Sequence, residues 1–441
     1  MRRPAFLVLV VAMALVVAAC DGDSGGRDPT PPPTTVPTVR ESPSPPADGE
    51  GSAAVAMVAL CDFGPPPGSE PVPPEGPTPE AVADVMEAVE ELRGLTFTEP
   101  VVADPATQAE LVDGLEESFD YSFPEELLDR RSRAWETIGV IPLGTSIRDE
   151  LERFASGQVI GYYDTLTGEL VFIGTDDPSP TERVTLAHEL THAIDDQNFG
   201  LERIDVLLTS CRDEAATAAI ALVEGDATFF MTAYAFRYLT PEEQLSLGEG
   251  GGGEPAGIAP FIERQQIWPY VAGQAFVTAL STGGGIPAID EAFRDLPVST
   301  EQILHPERYP NDVPTAVDVP DLASALGVGW EDLDVQEVGE AWLLLALDLR
   351  LETGVSEDAA AGWDGGIYRA WTDGEHVALV LSTVWDSPAE ATVFAGTMRD
   401  WIAASPDDQA AEVLPVEGSG IQVLFASDAS TLEVLRAALA P

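Results

Sequence analysis

The stretch LAHELTHAI at residues 186–194 decides how this sequence is interpreted. It places His188 and His192 four positions apart, with Glu189 directly after the first histidine. Positions four apart on an α-helix lie on one face, one turn from each other, so both imidazoles point the same way. Paired imidazoles at this spacing suit one Zn²⁺ ion, and the adjacent carboxylate suits a general base. The stretch therefore predicts a zinc-binding helix on which Glu189 takes a proton from an attacking water.

The residues before this stretch supply the structural context that such a helix needs. Ser179 can cap, Pro180 suits the first helical position, and Glu182 stands where a capping box requires it. We expect the helix to run to about Asp196. Upstream, residues 158–164 and 169–174 alternate as two strands of a hairpin. The chain has only four histidines, so finding two of them in this pattern is informative.

A catalytic zinc needs a third protein ligand. Glu224, in the stretch LVEGDA at residues 222–227, is one carboxylate that could fill this place, and it belongs to a long, mostly apolar helix predicted from about 212 to 237. An unpaired carboxylate buried in such a helix would be costly, so a partner is expected. Asp226 and Glu214 are the alternative ligands.

Together, HELTH at 188–192 and LVEGDA at 222–227 resemble the zincin metallopeptidases. The metzincin branch is excluded because positions 195 and 198 hold Asp and Asn. The resemblance to the gluzincin branch implies Glu224 as third ligand, although the gap of 31 residues after His192 is longer than in thermolysin-like members. Position 228 is Thr where those members have an Asp that orients a ligand histidine. That role would then fall to Asp195, Asp196 or Asp226.

The resemblance also implies a substrate strand and an oxyanion donor. Residues 169–174 would form the edge strand along which an extended peptide lies. The donor would be His305 with Tyr309, or else Tyr270. The alternative is that His305 is an ordinary surface histidine. His376 is expected to be a core or surface residue without a catalytic role.

The predicted fold class is α+β, with four segments. Residues 1–19 are interpreted as a lipoprotein signal peptide, and 20–79 as a disordered tether rich in Pro and Gly. Residues 80–315 would form a zincin-like metallopeptidase domain with a small sheet, the motif helix and a following ligand helix. Residues 316–441 are interpreted as a separate small α+β domain of unknown role, with a helix near 335–352 and strands around 366–371 and 376–384. A short apolar patch at 53–63 interrupts the tether and is expected to dock on the body.

The N-terminus carries an export signal. Arg2 and Arg3 precede an apolar run at 5–17, and VAAC at 17–20 resembles the bacterial lipobox. A lipid on Cys20 would hold the protein at the extracytoplasmic face of a membrane. The alternative is an ordinary signal peptide with an incidental cysteine.

The charge balance excludes one class of partner. The chain has 76 acidic and 21 basic residues and a net charge of −55, so it repels phosphate backbones and is not expected to bind nucleic acid. Cys61 and Cys211 are the remaining cysteines. They form either one disulfide or two separate buried thiols.

The sequence therefore predicts a membrane-anchored, zinc-dependent endopeptidase that acts on a peptide or protein substrate. Two alternatives stay open: a catalytically silent zinc-binding surface lipoprotein, and a zinc hydrolase of a non-peptide amide. Retention of Glu189 argues against the first, since a purely structural site needs no general base.

Overall fold

The computed structural model describes residues 8–12, 51–61, 78–114, 124–165, 167–174, 177–247, 257–406, 409–415 and 418–439. Cys20, most of the predicted signal peptide and most of the predicted tether lie outside these residues. The described part is mixed α and β, as predicted.

The described strands are β1 (Val8–Ala12), β2 (Val102–Ala106), β3 (Val159–Asp164), β4 (Glu169–Ile173), β5 (Glu331–Glu337), β6 (Trp363–Thr372), β7 (Val377–Trp385), β8 (Ala410–Val413) and β9 (Gly420–Ala426). The helices of the first half are α1 (Ala53–Leu60), α2 (Glu80–Arg93), α3 (Glu125–Ile138), α4 (Ile147–Gln158), α5 (Pro180–Phe199), α6 (Glu202–Thr209), α7 (Asp213–Tyr238) and α8 (Pro241–Ser246). Those of the second half are α9 (Pro260–Gly284), α10 (Ile286–Arg294), α11 (Thr300–Leu304), α12 (Ala323–Leu326), α13 (Glu340–Leu347), α14 (Thr353–Ala360), α15 (Pro388–Ala403) and α16 (Ala429–Ala438).

The first sheet has the strand order β1-β3-β4-β2. The hairpin of β3 and β4 is confirmed, with Tyr162 opposite Val171 in antiparallel register. β2 runs parallel to β4, and β1 runs antiparallel to β3. The prediction that residues 169–174 form an edge strand was therefore wrong. β4 is an inner strand because it pairs with β3 on one side and with β2 on the other. β3 pairs with β1 on its other side.

The motif helix α5 begins as its capping chemistry predicts. Ser179 Oγ accepts from the Glu182 N–H at 3.3 Å, and Glu182 Oε2 accepts from the Ser179 N–H at 2.6 Å. The helix ends at Phe199, three residues beyond the predicted end, where Gly200 takes a positive φ of 70°. Its central residues are buried all round, so α5 runs through the interior of the protein.

The ligand helix α7 is 26 residues long and, by length and hydropathy alone, passes as a candidate membrane span. Its most apolar 18-residue window is 61% buried within the protein, and the helix holds three buried carboxylates, Glu214, Glu224 and Asp226. These features are those of a core helix, and its contacts with α5 and α9 agree with that.

α7 and α9 cross at a contact that only glycine allows. A Cβ on Gly225 would lie 2.1 Å from the carbonyl carbon of Gly273, and a Cβ on Gly273 would lie 1.8 Å from the Ala221 oxygen. Since these are backbone atoms, no rotamer change can make room. The crossing therefore fixes α9 closely against the helix that carries Glu224.

Replacing Gly273 by Ala is expected to lower the free energy of unfolding by at least about 1–3 kcal/mol, because the methyl group forces the two helices apart. Urea unfolding measures the change. Gly283→Ala in the same helix is the matched control: nothing lies within 4 Å of its Cβ position, and alanine favours the helix. Equal stability of the two variants would contradict this account of the crossing.

The second sheet is antiparallel throughout, in the order β5-β6-β7-β9-β8. The predicted strands near 366–371 and 376–384 are confirmed as β6 and β7. The helix predicted over 335–352 was wrong at its start, where β5 ends at Glu337. β5 lacks the hydrophobic pattern of a strand because two of its buried residues, Asp334 and Gln336, are polar. They accept hydrogen bonds from Arg131 and Trp135 of α3, respectively.

This second sheet is not packed apart from the first half of the chain. One core joins Trp135 of α3 and Phe261 of α9 to Trp342 and to the sheet. The disulfide between Cys61 and Cys211 is confirmed, and it links the end of α1 to the start of α7. α1 packs on the second sheet, as predicted for the apolar patch. The domain boundary predicted at 315/316 stays a prediction, since packing crosses it.

Candidate metal centre

The structure brings His188, His192 and Glu224 together in the interior. Nε2 of His188 lies 3.1 Å from Oε2 of Glu224, and Nε2 of His192 lies 3.5 Å from the same oxygen. The two imidazole centroids are 4.6 Å apart. The histidine side chains are fully buried, and that of Glu224 is 4% exposed.

This geometry fits a metal ion. Ligands at the usual 2.0–2.2 Å from a tetrahedral zinc lie about 3.4 Å from one another, and the two measured distances fall on either side of that value. Nε2 of His192, which faces Glu224, is buried without a hydrogen-bond partner among the described residues. Buried polar atoms are normally satisfied, so the triad has the character of a site that could hold a metal.

Protonation states agree with ligand chemistry. Burial, together with the neighbouring His192, lowers the pKa of His188 to about 4. Burial alone would raise the pKa of Glu224, but the attraction of His192 and the hydrogen bond with His188 lower it to about 2. At neutral pH the site thus offers a neutral His188 and an ionised Glu224, which are the forms that bind metals.

Glu189 lies beside the triad with neither carboxylate oxygen hydrogen-bonded within the described part of the chain. It is fully buried, and burial raises its pKa well above the usual range, with the charge of Glu224 adding to the effect. The backbone of β3 passes close by: a Cβ on Gly161 would lie 3.1 Å from Glu189 Oε1. Glu189 thus places a carboxylate of raised pKa next to the metal ligands, and both of its oxygens lack hydrogen-bond partners among the described residues.

Of the three residues considered as oxyanion donors, Tyr270 is the one in contact with the triad. Its ring stacks on His188 with centroids 6.1 Å apart. His305 Nε2 instead lies 3.0 Å from Glu340 Oε1, and the Tyr309 hydroxyl donates to the Asp295 carbonyl at 2.6 Å. The catalytic role predicted for His305 and Tyr309 therefore stays a prediction that these contacts do not support.

His376, expected to lack a catalytic role, is partly buried, with its side chain 40% exposed, and pairs with Asp373 at 3.2 Å.

The acidic residues considered as orienters of the histidines have other partners. Asp195 and Asp226 both pair with Arg93 at 3.0 Å. Asp196 accepts from the Tyr163 hydroxyl at 2.9 Å and from the Leu201 N–H at 2.8 Å. Sequence reasoning missed Arg93, although its place at the end of an amphipathic helix with Gly94 as cap was a usable signal.

Glu214, one of the alternative third ligands, lies at the other end of α7. Its Oε1 accepts from the N–H of Thr300 at 2.5 Å and from the Thr300 hydroxyl at 2.8 Å. It also lines a small open cleft together with Glu337 and Trp363. Neither Glu214 nor Asp226 belongs to the triad.

Burial raises the pKa of Glu214 from 4.5 to about 8. The folded protein therefore keeps a proton that the unfolded chain has released, and its free energy of unfolding falls as pH rises from about 4.5 to about 8. Glu214→Gln, which cannot ionise, is expected to remove a few kcal/mol of this loss, at about 1.4 kcal/mol per pKa unit. Urea unfolding of both proteins at pH 5 and pH 8.5 measures the difference. The same pH slope in both proteins would show that Glu214 is not the group responsible.

Comparison with known proteins adds one finding. Residues 328–438 match a family model described as a domain of unknown function (DUF8575). Neither a curated protein nor a solved structure matches the chain. The matched residues begin just before β5 and end with α16, so they cover the second sheet and leave the triad outside.

Proposed function

We propose that this protein is a zinc-dependent endopeptidase. The observation that carries the proposal is Glu189, a fully buried carboxylate beside a triad of metal-ligand type, with both oxygens unpartnered among the residues that the structure describes. A structural metal site has no use for such a group, and its burial is costly. The three-residue ligand set supports the same conclusion, because catalytic zinc sites keep one position open while structural sites use four protein ligands.

A zinc ion held by His188, His192 and Glu224 would lower the pKa of a water molecule and polarise the scissile carbonyl. In this proposal Glu189 accepts the proton of the attacking water and passes it to the leaving amine. Burial raises the pKa of Glu189, which makes its carboxylate a stronger proton acceptor. Tyr270, which stacks on His188, is the candidate donor to the oxygen of the tetrahedral intermediate.

Pairing at β3 supports a peptide as substrate. β1 adds to β3 as an extended antiparallel segment and also packs on α5, with Val10 opposite Tyr162. The same β3 backbone passes Glu189 at Gly161. A substrate that paired with this strand in the same way would lie beside the general base, held by main-chain hydrogen bonds.

Export and lipid anchoring at Cys20 belong to the proposal as well; cleavage before Cys20 would remove β1 and leave that edge of β3 open to a substrate. The support is the disulfide between Cys61 and Cys211, because such bonds persist in oxidising compartments outside the cytoplasm.

The test is elemental analysis of the full chain purified in detergent, combined with cleavage of an unfolded protein and mass spectrometry of the products. One zinc per chain and new peptide termini are expected. Zinc without cleavage of any peptide would favour the silent surface lipoprotein or an enzyme for a non-peptide amide. A chain that binds no zinc would overturn the proposal.

A further inference from the structure

Arg93, the last residue of α2, is a fully buried cation in contact with both helices that carry the triad. Its Nε lies 3.0 Å from Asp195 Oδ1 on α5 and 3.0 Å from Asp226 Oδ2 on α7. Its Nη1 lies 2.7 Å from Asp290 Oδ1 on α10. One side chain thus joins three helices through charge-assisted hydrogen bonds, which are the stronger kind.

Aromatic rings enclose this contact. The guanidinium carbon lies 5.6 Å from the ring centroid of Phe199, 5.4 Å from that of Phe230 and 5.5 Å from that of Phe293. All three rings are buried. With water excluded, the attraction between Arg93 and the carboxylates is stronger than at a surface, and the rings add cation–π attraction.

Asp195 and Asp226, the two anchor residues that pair with Arg93 on α5 and α7, lie close to the metal ligands along the chain. Asp195 is three residues after His192, and Asp226 is two residues after Glu224. At 1.5 Å of rise per residue these separations are about 4.5 Å and about 3 Å along stiff helices. A shift of either anchor therefore reaches the ligands almost undiminished. Apart from the triad itself, Arg93 is the side chain that pairs with carboxylates of both helices in the described part of the chain.

We propose that Arg93 is a positioning residue for the metal centre. By holding Asp195 and Asp226 together it sets the spacing of α5 and α7, and so the distance from Glu224 to the two histidines. This inference rests on the proposed zinc site. Zinc accepts ligand distances only within about 0.2 Å, so loosening of the two helices is expected to appear as lost metal affinity.

The test compares four single variants of the full chain. Arg93→Lys keeps the charge but replaces a fork of donors by a point charge, and Asp226→Asn keeps the shape but weakens the tie to α7. Arg369→Lys is the control for loss of a buried guanidinium, since Arg369 pairs with Asp332 at 2.7 Å within the second sheet. Asp290→Asn is the control for charge: it removes one negative charge from the same cluster without releasing either ligand helix.

Zinc affinity is measured by competition with a chromogenic chelator, and ligand geometry by the visible absorption of the Co²⁺-substituted protein. Arg93→Lys and Asp226→Asn are expected to lower zinc affinity about 10-fold or more and to shift the Co²⁺ bands. Both controls are expected to stay within about threefold of the wild type.

Wild-type zinc affinity in folded Asp226→Asn would overturn the inference, as would an equal loss in Asp290→Asn, which would point to charge alone. If Arg93→Lys does not fold, Asp226→Asn decides. A wild-type chain without zinc affinity would overturn the proposed function and this inference with it. If the wild type binds zinc and Arg93→Lys and Asp226→Asn bind it equally well, only the inference is overturned.

Discussion

Replacing Glu189 by Gln is expected to lower the rate of peptide cleavage by at least about 100-fold while one zinc per chain stays bound. General acid–base groups contribute about 10²–10⁴-fold to rates, and an amide cannot accept the proton. Glutamine has nearly the same shape, so the burial and packing of position 189 are kept. Cleavage of an unfolded protein and elemental analysis of the same sample measure the two effects.

The matched control is Asp205→Asn. Asp205 on α6 is also a fully buried carboxylate whose two oxygens lack partners among the described residues, and burial raises its pKa to about 9. It has no place in the triad, so its variant is expected to cleave at the wild-type rate. Full activity in Glu189→Gln would exclude Glu189 as the general base. An equal loss of cleavage rate in both variants would mean that replacing any buried carboxylate by an amide disturbs the protein.

Replacing Glu224 by Ala is expected to lower zinc affinity by more than about 100-fold and to abolish cleavage at zinc concentrations that saturate the wild type. Loss of a partner outside the ligand set typically costs 10–100-fold in affinity, and loss of a ligand itself costs more. Two imidazoles alone do not hold a catalytic zinc. Chelator competition gives the affinity, and circular dichroism verifies that the variant is folded.

Glu214→Gln is the control here, since Glu214 is a buried carboxylate on the same helix with Thr300 as its partner. It is expected to bind zinc as the wild type does. Zinc retained in Glu224→Ala, with affinity lost in Glu214→Gln, would move the third ligand to the other end of α7. Zinc retained in both would mean that a residue other than these two completes the site.

Local patterns were sufficient for the helix that carries the motif. Ser179, Pro180 and Glu182 predict its start, because capping involves atoms only three residues apart. The spacing of His188 and His192 predicts their common face for the same reason. Glu224 was predicted from the resemblance of LVEGDA to the gluzincin ligand helix, its apolar surroundings favoured a partner, and the structure places it against both histidines.

Other assignments failed where the partner lies far along the chain. Asp195 and Asp226 were predicted as residues that orient the histidines, but both pair with Arg93, which is 102 and 133 residues away from them. The role of residues 169–174 as an edge strand was wrong because β2 covers that side in parallel pairing, and such pairing leaves no turn signal in the sequence. β5 was missed because its buried polar residues are satisfied by α3, more than 190 residues earlier.

By itself, then, this sequence determined the mixed α and β class, the capped motif helix and the face on which its two histidines meet, since all of these depend on neighbours within a few turns of chain. Only the tertiary structure decided which buried charges are paired with which, how closely α7 approaches α9 at Gly225 and Gly273, and which strand passes Glu189. Those features arise from contacts between distant segments. Their free energy depends on burial and mutual distance, which no periodicity along the chain records.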